Sequence, residues 1–140
     1  MSRTEAFLHH AATLLVGTTG LAYFWALWLA EVPADEFGPG IHPLQDDFQH
    51  LHILAAPALI FASGMIWKRH AWKRIKDGHQ EHRRTGVLLA ASLVPMVLSG
   101  YLLQVSVEEF WREAWRWIHS GVSGLWLLAY GVHQVQRFRA

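Results

Sequence analysis

The distribution of charge constrains this chain more than any other feature. Its 12 Lys and Arg and 11 Asp and Glu leave four stretches without any of them: 6–30, 48–67, 85–107 and 117–136. A helix rises about 1.5 Å per residue, so about 20 residues cover the roughly 30 Å hydrocarbon core of a bilayer, and each stretch is long enough to cross. Inside that core every backbone N–H and C=O needs a partner within the protein, which makes helices the spanning form for segments of this length. The expected fold is all-α: an integral membrane four-helix bundle forming a single domain over 1–140, with helices at about 5–30, 44–70, 84–107 and 110–137. The first span is too long and too poor in a cleavage pattern for a removable signal peptide, and it is expected to stay in the mature protein. A composition 52% hydrophobic and 16% charged excludes disorder and a strongly nucleic-acid-binding chain, so no nucleic-acid partner is expected. The absence of cysteine excludes disulfides, iron–sulfur clusters, thiolate zinc sites and covalent c-type haem attachment.

The loops give the direction of the spans. The two termini and 68–84 carry ten basic and three acidic residues, whereas 31–47 and 108–116 carry two basic and eight acidic. The positive-inside rule then places both termini and the basic loop in the cytoplasm. Lys68, Arg69, Lys73, Arg74, Lys76, Arg83 and Arg84 dominate that inner set. Anionic lipid could meet them, but topology already accounts for their charge. Pro33, Gly38, Pro39, Gly40 and Pro43 make 31–47 an outer loop, with Pro43 placed to open the second helix. Trp25, Trp28, Trp67, Trp72, Trp111, Trp115 and Trp117 fall at or near span ends, where an amphipathic ring sits best at the lipid interface.

An ionisable side chain inside a span is costly and marks a functional site by default. His119 and His133 on the fourth helix are 14 residues apart. At about 100° and 1.5 Å per residue they share one face, about 21 Å from each other. His50 and His52 lie near the outer end of the second helix, and His9 and His10 near the inner end of the first. Since neighbouring spans alternate in direction, the depths match in pairs: His119 with His50 or His52, and His133 with His9 or His10. Two imidazoles facing one another across a helix interface, with small residues to admit a flat macrocycle, are the axial ligands expected of non-covalent b-type haem. Gly17, Gly20, Ala55, Ala56, Ser63, Gly121, Ser123 and Gly124 supply such residues. The stripe through His52 is smaller than that through His50 and selects His52, with His50 the alternative. Gly17, seven residues on, selects His10, with His9 the alternative. Trp126 lies midway between His119 and His133 on the same face. His42, His70, His79 and His82 lie in or beside loops, and His79 and His82 alone are too few ligands for a structural zinc site.

This pattern resembles the bacterial four-helix di-haem membrane cytochrome b superfamily, which includes the b-type subunits of formate dehydrogenase and nickel–iron hydrogenase and stand-alone quinone-linked cytochromes b. The resemblance covers essentially the whole chain. It rests on a first-helix His followed by Thr19-Gly20, a His early in the second helix, the His119 to His133 spacing, and Ser99-Gly100-Tyr101-Leu102-Leu103. It departs in the doubled His9-His10 and in the shorter interval from there to Thr19-Gly20. The resemblance implies that His10 and His133 hold an inner haem b and His52 and His119 an outer one. It further implies a multi-pass protein of the bacterial inner membrane. Such a protein would be an electron-transfer subunit of an oxidoreductase complex, linking a periplasmic redox protein to the quinone pool.

With no flavin or nucleotide domain in the sequence, electrons must enter and leave through other molecules. Glu31, Asp35, Glu36, Asp46 and Asp47 form an acidic outer face for a redox protein, Gln104, Ser99 and Tyr101 are candidate quinone contacts, and Arg112 and Arg116 are candidate partners for haem propionates. Two other readings compete. One is a stand-alone, superoxide-oxidase-like enzyme that takes electrons from a small diffusible donor and reduces quinone. The other is a non-haem membrane anchor or metal-handling protein whose histidines bond between helices.

Overall fold

The computed structural model describes residues 2–34, 36, 38, 40–78 and 83–139, and among these the chain is helical, with no β-strand. Helix α1 spans Arg3–Trp28, α2 Gln45–Ile66, α3 Lys73–Lys76, α4 Arg83–Val105 and α5 Glu109–Arg139, and a π-helical segment, Trp67–Trp72, joins α2 to α3. Three stretches, Arg3–Trp28, Gln45–Lys76 and Arg83–Val105, are long and apolar enough to cross a membrane.

Helix α5, the longest at 31 residues, differs in kind. Glu109, Arg112, Glu113 and Arg116 occupy its first turns, and His119, Ser120, Ser123, His133 and Gln134 follow, so it is amphipathic where α1 and α4 are apolar all round. The fourth expected span is therefore the least apolar of the four, for the same reason that it is chemically the most interesting.

Local chemistry sets the helix ends. Ser2 and Glu5 form a reciprocal cap on α1: Glu5 N–H donates to Ser2 Oγ (3.1 Å) and Ser2 N–H to Glu5 Oε2 (2.7 Å). Asp46 and Asp47 sit in the first turn of α2, and Glu109 in that of α5, where the helix dipole favours negative charge. After α3 the chain turns at Gly78, whose φ of 65° suits glycine.

The chain divides into two compact units, Met1–Trp67 and Lys68–Ala140. In the first, α1 packs on α2; in the second, α4 packs on α5. Each pair is antiparallel, since contacts run from Thr19–His52 to His9–Ser63 in one unit and from Ser99–His119 to Thr85–His133 in the other. Most of the buried seam residues are small, with Leu59, Met96 and Trp126 the exceptions: Ala12, Thr13 and Ala26 on α1 with Ala55, Leu59, Ala62 and Ser63 on α2, and Ser92, Met96 and Ser99 on α4 with Trp126 and Ala129 on α5. Many other large apolar side chains point away from these seams, with Leu54 76%, Phe61 70% and Leu128 72% exposed, which is the surface that lipid would cover.

Two of the buried hydroxyls are satisfied inside their own helices. Thr13 donates to the His9 carbonyl (2.8 Å) and Ser92 to the Leu88 carbonyl (2.6 Å). Among the described residues no buried side-chain nitrogen or oxygen lacks a hydrogen bond.

Candidate functional site

Four histidines meet a hydroxyl presented by the facing helix of their own unit. In the first unit Thr19 Oγ1 lies 3.3 Å from His52 Nδ1, and Ser63 Oγ lies 3.4 Å from His9 Nε2. In the second, Ser99 Oγ lies 3.3 Å from His119 Nδ1, and Thr85 Oγ1 lies 2.9 Å from His133 Nδ1. Each hydroxyl residue is followed by glycine: Gly20, Gly64, Gly100 and Gly86.

The direction of three of these bonds follows from where the hydroxyl proton goes. Thr19 donates to the Leu15 carbonyl (2.8 Å), Ser99 to the Met96 carbonyl (3.0 Å) and Thr85 to Gln136 Oε1 (3.1 Å). A hydroxyl has one proton, so toward the imidazole each of these oxygens is the acceptor. With the hydroxyl protons so placed, His52, His119 and His133 carry their own proton on Nδ1 and the lone pair on Nε2. For His119 a second acceptor agrees, because the Met96 carbonyl lies 3.0 Å from Nδ1 and can only accept. Such a bond fixes the tautomer and the ring orientation of a metal-binding imidazole.

The glycines provide room for the rings. A Cβ on Gly20 would lie 2.8 Å from His52 Cε1, and one on Gly100 would lie 3.0 Å from His119 Cε1 and 3.2 Å from its Nδ1. At Gly86 the distance to His133 Cε1 is 3.8 Å, an ordinary contact. The missing Cβ at Gly100 is also what lets His119 reach the Met96 carbonyl, which lies one helical turn earlier on α4.

The remaining expected site residues are distributed as follows. His50 is exposed, while His52 is half-buried against α1; Ala55, Leu59 and Ser63, which follow His52 on α2, are buried. His9 and His10 are both half-buried, with their rings 6.3 Å apart and nearly perpendicular. Trp126 is buried, donates from Nε1 to the Leu89 carbonyl (3.2 Å) and stacks on Tyr130. Arg112 and Arg116 each pair with a carboxylate on their own helix, Glu109 and Glu113.

Of the three quinone candidates, Ser99 is fully buried and engaged with His119 and Met96, Gln104 is exposed and donates to the Gly100 carbonyl (3.3 Å), and Tyr101 is exposed on the same helix. His42 is tied into the loop between α1 and α2, accepting from Leu44 N–H (3.2 Å) and meeting the Trp25 ring edge-on. Asp35, His79 and His82 lie outside the described residues. Among the described residues no three His, Asp or Glu side chains converge to hold a metal ion.

Sequence reasoning singled out the histidines but not Thr85-Gly86, nor the Met96 carbonyl. A hydroxyl–glycine dipeptide recurs within the charge-free stretches, but it also occurs at Ser120-Gly121 and Ser123-Gly124, so it does not by itself mark the former. Comparison with family models, with curated proteins and with solved structures finds no match to this chain.

Proposed function

We propose that this chain is a di-haem b-type cytochrome of the bacterial inner membrane, a four-helix bundle with both termini in the cytoplasm. It would carry electrons between a periplasmic redox partner and the quinone pool. The observation that carries the reading is that His52, His119 and His133 each set Nδ1 against an oxygen of the facing helix, the arrangement in which Nδ1–H donates and Nε2 is the basic nitrogen. Imidazole ligates haem iron as a neutral ring through one nitrogen while the other donates a hydrogen bond, so this donor set fits the group. Three such rings in so short a chain are more than packing requires.

His52 and His119 would hold one haem and His10 and His133 the other; the pairing rests on matched membrane depth along the sequence. The fourth ligand is taken as His10, with His9 the alternative; Ser63 Oγ meets His9 at Nε2 rather than at Nδ1. When bound, the haem supplies reversible one-electron iron chemistry. The protein's own residues fix ring orientation, keep water from the seams, and present the ligands at two depths. Over the whole reaction the donor loses two electrons, one at a time, and a quinone gains those two electrons and two protons to become a quinol.

The test is a reduced-minus-oxidised absorption spectrum of the detergent-purified protein, with haem extracted and counted per chain. Two b-type haems are expected. Colourless protein from haem-replete cells would overturn the reading in favour of an anchor or metal-handling role.

A further inference from the structure

Thr19, Thr85 and Ser99 do more than fill a helix seam. Each stands between an imidazole Nδ1 and another oxygen to which it can give its proton, so that in accepting from Nδ1–H each pushes electron density toward Nε2 of that ring. We propose that these three hydroxyls are positioning residues that set the affinity and reduction potential of the haem irons, and that their influence is unequal because the geometry is unequal. This rests on the di-haem reading above.

Thr85 is held between two residues of α5, accepting from His133 at 2.9 Å and donating to Gln136 at 3.1 Å, and Gln136 lies three residues along the same helix from His133. That clamp fixes the ring with respect to its own helix as well as to α4. Ser99 stands 3.3 Å from His119, and the Met96 carbonyl at 3.0 Å shares the same Nδ1–H. Removing Ser99 therefore leaves an acceptor in place, whereas removing Thr85 takes away the shorter bond and the link to Gln136. An Nδ1–H that donates strongly makes Nε2 a better electron donor and favours ferric iron. Loss of the acceptor then raises the midpoint potential of the haem concerned.

The experiment uses the full-length, haem-loaded protein in detergent. Thr85→Val keeps shape and removes the hydroxyl, Thr85→Ser restores it, and Ser99→Ala removes the other; each haem is followed by optical redox titration and by the spectrum of its ferric low-spin state. Thr85→Val is expected to raise the midpoint of one haem only and to weaken its retention about tenfold, the usual scale for an outer hydrogen bond to a metal ligand. Thr85→Ser should return both to the unmutated values, and Ser99→Ala should raise the other haem by a smaller step. Unmoved midpoints and ferric spectra in Thr85→Val and Ser99→Ala, with both haems bound, would overturn this inference while leaving the di-haem reading intact. Absence of haem from the unmutated protein would instead overturn that reading. Should Thr85→Val not accumulate, Ser99→Ala decides alone: a shift in one haem supports the inference and none overturns it.

Discussion

In the first unit α1 holds one imidazole of α2, His52, with Thr19 and Gly20; in the second, α4 does this twice for α5, with Ser99-Gly100 at His119 and Thr85-Gly86 at His133. The hydroxyl is the same device in each case, but the space is not. Gly20 is the tightest, Gly100 next, and Gly86 has room to spare. The second unit adds a carbonyl to one ring and a glutamine to the other hydroxyl, and it ties α5 to α4 between the two rings through Trp126. The difference shows two ways to orient a ring on a helix: close steric fit where one hydroxyl serves, and redundant hydrogen bonding where α5 must present two rings at once.

The largest expected effects test the proposed assignment of the histidines to two haems. His52→Ala, His119→Ala and the double variant should each lose the same single haem and keep the other. His52→Ala combined with His133→Ala should lose both. On α1, His10→Ala should behave like His133→Ala, and His9→Ala should keep both haems. Extracted haem per chain and the difference spectrum measure this; two haems surviving in His119→Ala would break the assignment outright.

Intermediate effects test the steric half of the comparison. Gly20→Ala drives a methyl to 2.8 Å from a ring atom of His52, and overpacking of this kind costs about 1–3 kcal/mol when the neighbour cannot move. Its haem should be lost or weakly held. Gly100→Ala should weaken the same haem less, and Gly86→Ala should be close to neutral, because 3.8 Å is an ordinary contact. Haem retention during gel filtration gives the order, and a reversed order would mean that fit at the glycines does not decide ring placement.

The helical class was legible in the sequence because few structures besides a membrane-spanning helix leave about 20 residues in a row without charge. The importance of α5 was legible too, from histidines at helical spacing. The hydroxyl seats were not. Ser120-Gly121 and Ser123-Gly124 on α5 have the same dipeptide, yet a Cβ on either glycine would meet nothing within 4 Å. Only the register between helices separates Thr85-Gly86 from these, and register is a property of packing. Arg112 and Arg116 show the same limit: their positions suit propionates, but carboxylates three residues back already engage them.

The smallest expected effect concerns Trp126, the feature of the second unit with no counterpart described for the first. Its ring lies seven residues from each histidine of α5 and could matter as a spacer, as a hydrogen-bond donor to Leu89, or both. Trp126→Phe separates these, since it keeps an aromatic ring against Tyr130 and removes only the N–H. Hydrogen bonds between membrane helices average about 0.6 kcal/mol, so the variant should unfold only slightly more readily in detergent. Haem content and both midpoints should stay unchanged, because His119 and His133 keep their own oxygen partners on α4. Loss of either haem in Trp126→Phe would mean that this indole bond, rather than the hydroxyls beside the rings, sets the register of α5.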